Sequence, residues 1–350
     1  MAAKKKATPK IKKPNSRDIL SILAKEFGDE VVWTKKQSEM PIEVIASDST
    51  SIAWILGRGG LPKGRIVEVS GQESSGKTTL CYHFMKCAQH QGLRCAFIDA
   101  ENSIDLSYMR SCGVDDSQLI IVQPDYGEQA LDIVEKLIDD GHVGLIIVDS
   151  VAALIPKAEL EGEVTDMQIG LQARMMAKSM RRLSPALKGS QAVVMFTNQL
   201  RDKIGGFTGF MGPQTSTPGG RALKHAASVR IEIKKHQQLK TGTKAIGFMA
   251  GIKVIKNKVA PPFRDVEVPL IYGYGYDERL DLINLALSCR AITKKSSIFY
   301  IKNKPIGDGW RECYKFIVSH KRVHEFVLAK VTSMLDKRAD LGLVEDDPEE

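Results

Sequence analysis

The sequence predicts an α/β protein built on a mostly parallel sheet, and three observations carry that reading. Short, near-continuous apolar runs recur at residues 65–70, 95–100, 119–122, 145–149 and 192–196, with helix-like segments between them. Strands buried on both faces read this way, because crossover helices cover both sides of a parallel sheet. After Gly220 the texture changes to alternation at 228–233 and 251–256, which predicts an antiparallel extension of the sheet. Finally, the first run leads through Gly71-Gln72-Glu73-Ser74-Ser75-Gly76-Lys77-Thr78 into a helical segment, the strand–loop–helix order of an anion-binding turn.

The flanks of this core differ from it. Residues 1–14 are rich in lysine and proline, and 16–27 set Ile19, Leu20, Ile22, Leu23 and Phe27 at helical spacing behind Ser16, a suitable N-cap. Gly28 ends that helix. A lone helix so short is marginal in water, so its apolar stripe must dock on its own core or on a neighbouring subunit. Beyond Leu280 the chain reads as helical and more basic: from Arg290 to Asp340 it carries twelve Lys and Arg against five Asp and Glu. It closes on the acidic run Glu345-Asp346-Asp347-Pro348-Glu349-Glu350. His320 and His324 stand four apart on an expected helix, a spacing that permits a metal pair but offers no third ligand.

Composition narrows the class. The chain has 350 residues, enough for one large core and small satellites. At 43% hydrophobic and 26% charged residues it is neither disordered nor fibrous. Its apolar stretches, such as Leu145-Ile146-Ile147-Val148, fall far short of the roughly 18 residues of a membrane span, so a soluble, cytoplasmic protein with no membrane partner is expected. Six cysteines without a CxxC pair read as reduced thiols, not as a disulfide frame or zinc site. The net charge of +8 is compatible with nucleic acid without demanding it.

The most specific signal is the loop at 71–78, which matches the eight-residue phosphate loop in both sequence and context. Its glycines let backbone N–H groups converge on phosphate oxygens at a helix N-terminus. Lys77 is placed to reach the terminal phosphates of a nucleotide, and the Thr78 hydroxyl to ligate Mg²⁺. Asp149 closes the run 145–148 where the metal-side acid belongs; alone, an aspartate at a strand end is as often a helix cap. Glu101, just past the run 95–100, is a candidate general base for the water that attacks the γ-phosphate, with a solvent-exposed turn acid as the alternative.

Together with that loop, Thr79, Phe97-Ile98-Asp99-Ala100-Glu101, Gln123-Pro124-Asp125-Tyr126-Gly127-Glu128-Gln129-Ala130, Val148-Asp149-Ser150-Val151-Ala152-Ala153-Leu154 and Lys256-Asn257-Lys258 resemble the RecA recombinases of bacteria and their phages. The similarity runs nearly collinearly from about Ile42 to Gly275. It implies a phosphate-loop ATPase core of RecA type at 42–276, a basic leader and oligomerisation helix at 1–41, and a small α/β accessory domain with an acidic tail at 277–350. It also implies a DNA-dependent ATPase that uses ATP and Mg²⁺, forms a helical homo-oligomer on single-stranded DNA, and exchanges strands with homologous duplex in recombination and repair. Single-strand-binding and mediator proteins are further candidate partners.

By the same resemblance, residues 71–79 hold the nucleotide, Lys77 and Glu101 serve hydrolysis, and Asp149 stands on the metal side. Asp105 and Tyr108 hold the adenine, the ring stacking and the carboxylate accepting from the amine, and Tyr272 is a further base-side contact. Gln199 matches the γ-phosphate sensor, and Lys256 and Lys258 match the pair that reaches a neighbouring subunit's ATP; read locally, those lysines are a solvated strand edge. Two segments match DNA loops. The first, 161–170, precedes a helix bearing Arg174, Lys178 and Arg181. The second, 202–221, is dense in Gly, Thr and Pro, too irregular for a regular element. In it Lys203, Gly205, Gly219, Gly220 and Arg221 are candidate phosphate contacts, while Ile169 and Ile204 are candidate wedges between base steps.

The chain departs from the family pattern where Gln72 replaces a usual proline, where the second loop is longer, and where His225 replaces an aromatic residue. The basic C-terminal region suits either a duplex-DNA gateway or a merely solvated surface. Two other readings of the same core stay open at this level: a hexameric helicase-type motor and a single-strand DNA-coating protein.

Overall fold

All the apolar runs become strands of one sheet. The computed structural model describes residues 16–28, 42–162, 170–202 and 215–341. Its elements begin with α1 (Ser16–Phe27), β1 (Val44–Ala46), α2 (Thr50–Leu56), β2 (Gly60–Pro62), β3 (Arg65–Gly71), α3 (Lys77–His90), β4 (Arg94–Asp99), α4 (Leu106–Ser111), β5 (Ile120–Val122), α5 (Gly127–Asp140) and β6 (Val143–Asp149). A single 3-10 turn (Val151–Ala153) leads to α6 (Lys157–Glu161), α7 (Leu171–Ala186), β7 (Val193–Gln199), the short pair β8 (Arg201–Asp202) and β9 (Thr215–Ser216), and α8 (Ala222–Ala226). Then come β10 (Val229–Thr241), β11 (Lys244–Asn257), β12 (Asp265–Ile271), β13 (Gly275–Tyr276), α9 (Glu278–Ser288), β14 (Thr293–Lys295), β15 (Ile298–Ile301), β16 (Lys304–Asp308), α10 (Trp310–Ser319) and α11 (Lys321–Leu341).

The chain divides into two compact units, 1–42 and 43–350. In the first, α1 leaves Ile19, Ile22, Leu23 and Phe27 exposed. The expected Ser16 cap, the lysine-rich leader and the acidic C-terminal run lie outside the described side chains. The second unit is organised by a nine-stranded sheet in the order β13-β12-β11-β10-β3-β7-β6-β4-β5. The six strands from β10 to β5 are parallel, and β11, β12 and β13 continue antiparallel.

Because successive side chains point to opposite faces, each strand feeds two cores. Val67, Val69, Phe97, Leu145, Ile147 and Met195 pack beneath Leu80, Phe84 and Met85 of α3. Their sequence neighbours Ile66, Ile98, Ile146, Val148 and Phe196 pack beneath Leu131 and Val134 of α5 and Met176 and Leu183 of α7. This double burial is why the runs lack a polar face. The antiparallel strands are longer than the alternation indicated: β10 and β11 span 13 and 14 residues. The outer half of β10 is exposed and carries Lys234, Lys235 and Lys240, so no apolar periodicity marks it.

The C-terminal elements build a third apolar cluster from Leu282, Ile283, Phe299, Ile317, Val327 and Val331. The purely helical local reading beyond Leu280 is corrected by a three-stranded antiparallel sheet, β14-β15-β16, between the helices, which agrees with the small α/β domain that the resemblance implies. The His320/His324 pair also needs correction. His320 caps the C-terminus of α10 with an extended backbone, so the two imidazoles do not share one helix. Among the described residues no group of three or more His, Cys, Asp or Glu is arranged to hold a metal ion. A buried carboxylate joins this region to the core: Asp281 of α9 accepts from the Ser49 hydroxyl at 2.7 Å and from the Ser51 amide at 3.1 Å, and also from the Ser51 hydroxyl.

Among the described residues no helix is long and apolar enough to cross a membrane. One buried histidine of the core gives a measurable pH dependence. His83 of α3 lies 2.9 Å from the Ser47 hydroxyl. Burial, reinforced by Lys86 and opposed by Asp48, pushes its imidazole down to about 3. An unfolded imidazole titrates near about 6.5, so between these values the folded state binds fewer protons than the unfolded one. Stability therefore rises with pH through this window and falls on acidification, by up to about 1.4 kcal/mol per pH unit from this group. Denaturant titrations from about pH 7 down to about pH 5 should show a shallower loss in His83→Gln than in the parent. Identical slopes would mean that the imidazole charges freely in the fold.

Candidate functional site

The parallel register brings the chemistry to one edge. Gly71 at the end of β3 is level with Gln199 at the end of β7, and Asp99 of β4 is level with Asp149 of β6. Beyond Gly71 the chain turns through Ser74 and Gly76, with φ of 55° and 97°, and enters α3 at Lys77. Both glycines are sterically required. A Cβ on Gly71 would lie 2.5 Å from Ser75 Oγ and 2.6 Å from the Ile233 carbonyl, and one on Gly76 would lie 2.6 Å from Leu270 Cδ1. The Ser75 hydroxyl is buried in this loop without a partner among the described residues. An orphaned donor beside a helix N-terminus suits an anionic ligand, because phosphate oxygens satisfy donors of this kind.

A cavity of about 230 Å³ opens over the loop, lined by Lys77, Thr78 and Thr79 and by the rings of Tyr108, Phe248 and Tyr272. Lys77 Nζ donates to the Gln72 carbonyl at 2.9 Å. Burial draws its pKa down against the attraction of Asp149 and Glu101. Thr78 Oγ1 donates to Asp149 at 2.7 Å, and the Thr197 hydroxyl of β7 donates to the other carboxylate oxygen. Burial raises the Asp149 pKa, partly offset by those two hydroxyls and by Lys77, while Glu101 adds to the rise. Glu101 accepts a hydrogen bond from Ser150, the residue after Asp149. One hydroxyl and one carboxylate, both hard oxygen donors, fit the protein share of a magnesium site whose other ligands are phosphates and water.

The Tyr108 hydroxyl lies 3.0 Å from Thr79 Oγ1, and its ring meets Tyr82 edge-on. Asp105 caps the helix that carries Tyr108, accepting from the Ser107 and Tyr108 amides at 2.8 and 3.0 Å. These bonds lower its pKa. Tyr272 is exposed beside Phe248, their centroids 6.1 Å apart. The sequence did not single out Phe248. It stands on the antiparallel extension, and only the pairing of β11 with β12 turns it toward the loop.

The expected DNA side adjoins this edge. On α7, Arg174, Lys178 and Arg181 are exposed at helical spacing, opposite the buried Met175, Met176, Met180 and Leu183. Gly219 is buried, Gly220 half-buried and Arg221 exposed at the start of α8. Ile169, Lys203, Ile204 and Gly205 lie outside the described residues. Lys256 and Lys258 rest on the C-terminal carbonyls of α8: Lys256 Nζ donates to the Lys224 and His225 carbonyls at 2.7 and 3.1 Å, and Lys258 Nζ to the latter at 3.5 Å. A helix C-terminus favours cations there. Ser150, Thr197, Asn198 and Gln172 also escaped the sequence reading. Each is an ordinary polar residue whose contacts arise from register and helix packing, not from local spacing.

A parallel sheet that delivers a glycine-rich loop into a helix N-terminus, with an acidic strand end beside it, defines an α/β phosphate-loop protein. Residues 16–277 match the family description "RecA N-terminal domain". Protein RecA of Chloroherpeton thalassium is 48% identical over 297 residues, covering 85% of this chain and 82% of its own. Those of Oceanobacillus iheyensis and Thermus aquaticus are each 42% identical, covering 94% and 93% of this chain and 93% and 96% of theirs. The chain belongs to the RecA family, and its role is that of a RecA recombinase; the motor and coating-protein readings are not favoured. Members of the family are DNA-dependent ATPases that assemble on DNA.

The loop geometry makes its own prediction. Gly76→Ala places a side chain at positive φ, at about 1–2 kcal/mol, and drives it into Leu270. Fluorescent-nucleotide titration and thermal melting should show weakened nucleotide binding together with a lower midpoint. Unchanged binding would show that the loop relaxes without its glycine.

Proposed function

We propose that this recombinase binds and hydrolyses ATP at the carboxyl edge of the sheet, with residues 71–79 cradling the phosphates and Lys77 neutralising the charge that grows on them. Glu101, oriented by Ser150, accepts the proton of the attacking water. Asp105, Tyr108 and Tyr272 hold the base. The observation that carries this reading is that Lys77, which lines the cavity with Thr78, feels the charge of both Asp149 and Glu101, while Thr78 bonds Asp149 and Ser150 bonds Glu101. Thr78 and Asp149 are the residues proposed to hold Mg²⁺, which when bound neutralises charge shared by the β- and γ-phosphates.

On this reading Gln199 senses the γ-phosphate at the head of the second DNA loop. Arg174, Arg181, Lys203, Gly205, Gly219, Gly220 and Arg221 meet the strand's backbone, while Ile169 and Ile204 space its bases. Lys256 and Lys258 exchange the carbonyls of α8 for a neighbouring subunit's phosphates when a filament forms. Residues 1–41 serve assembly, 42–276 form the ATPase and DNA-binding core, and 277–350 add a basic accessory surface for duplex DNA. The protein acts in the cytoplasm, with single-strand-binding and mediator proteins as partners.

Glu101→Gln tests the hydrolytic assignment, because the amide keeps the shape and loses the basicity. ATP binding should persist while DNA-stimulated turnover falls by about 10²–10⁴-fold. Lys77→Ala, as the comparison, should lose turnover through loss of charge neutralisation. A Glu101→Gln protein with ordinary turnover would assign the water-activating role to another group.

A further inference from the structure

The second loop leaves the core through a single peptide plane that two side-chain amides grip from opposite ends. The Pro218 carbonyl accepts from Asn198 Nδ2 at 3.3 Å, and the Gly219 N–H of the same peptide donates to Gln172 Oε1 at 3.2 Å. Both amides are themselves fixed. Asn198 Nδ2 also donates to the Glu68 carboxylate at 3.1 Å, and its Oδ1 accepts from the Gln199 amide at 3.0 Å. A flipped Asn198 amide would set its oxygen against two acceptors, so only one orientation satisfies the site. Gln172 Nε2 donates to the Val151 and Leu154 carbonyls at 2.9 and 3.2 Å.

Each grip starts at the nucleotide edge. Asn198 precedes Gln199 on β7, and Val151 follows Asp149 and Ser150 at the end of β6. Behind Asn198 stands Glu68, buried on β3 and paired with Arg230 of β10; Arg230 is in register with Lys256 of β11. A carboxylate so buried holds its partners through charge-assisted bonds. The gripped peptide has little freedom of its own. Gly219 and Gly220 have φ of 79° and 73°, and a Cβ on Gly219 would lie 2.7 Å from Val151 Cγ1. Just before it, the Thr217 hydroxyl is buried with no partner among the described residues.

We propose that the Pro218–Gly219 peptide couples nucleotide state to DNA binding, with Asn198 and Gln172 as the positioning residues that connect it to the ends of β7 and β6. This inference rests on the reading of Gln199 and the second loop given above. A displacement at either strand end moves one amide, and the rigid peptide passes that displacement to the loop on one side and to α8 on the other. Because both amides hold one plane, losing either uncouples it.

The test uses the full chain and a labelled oligodeoxythymidylate, its affinity measured with a slowly hydrolysed ATP analogue and with ADP. The quantity read is the ratio of the two affinities. Asn198→Ala and Gln172→Ala should each shrink that ratio about tenfold, the scale of one lost buried hydrogen bond, and the double variant should be no worse than either single one. A brace with only a structural role would weaken DNA binding alike in both nucleotide states and leave the ratio intact, and that result, or additive losses in the double variant, overturns the proposal. Should Asn198→Ala unfold because Glu68 loses a partner, Gln172→Ala releases the same peptide from the side away from Glu68 and decides alone. A parent ratio of one removes the site reading and this proposal with it; a large parent ratio kept by both variants removes only this proposal.

Discussion

Asp149 ends a strand in which every residue is buried, and its carboxylate takes hydrogen bonds from Thr78 at the start of α3 and from Thr197 on β7. A carboxylate buried without donors costs several kcal/mol, so the two hydroxyls are what allow a charge at the centre of the sheet's carboxyl edge. The same bonds set the geometry of the site, since Thr78 is the second residue of the helix that follows the phosphate loop. Fixing Thr78 fixes that helix against β6, and with it the direction of Lys77.

The rest of the edge follows from strand register. Level pairing of β3 with β7 and of β4 with β6 brings the start of the loop, Gln199, Asp149 and the approach to Glu101 to one edge of the sheet. Hydrophobic burial on both faces enforces this register, because a one-residue slip would carry side chains such as Ile147 and Val148 into the wrong core. The polar network therefore sits on a frame held by apolar packing.

What the sequence made legible was whatever depends on neighbours in the chain. The phosphate loop could be read because its glycines, lysine and threonine are contiguous, and Asp149 because it closes an unbroken apolar run. Residues whose partners lie across strands were not legible: Asn198 and Gln172 look like any polar residues at a strand end and on a helix, and Phe248 like any alternating apolar residue. The histidine spacing misled for the converse reason. A gap of four means proximity only within one helix, and the backbone leaves the helical region at His320. The three small strands at 293–308 could not be placed from the residues themselves, because no continuous apolar run marks them; only the family resemblance implied an α/β unit there.

The nucleotide and DNA sites proposed above share an edge whose parts are joined by short polar contacts, and recombination requires that they act together on two DNA molecules. The most direct measurement is to combine the protein with circular single strands, linear duplex and ATP, and to follow joint molecules. Joint molecules that require both ATP and homology are the expected result. Strands coated without pairing, or duplex unwound regardless of homology, would contradict it.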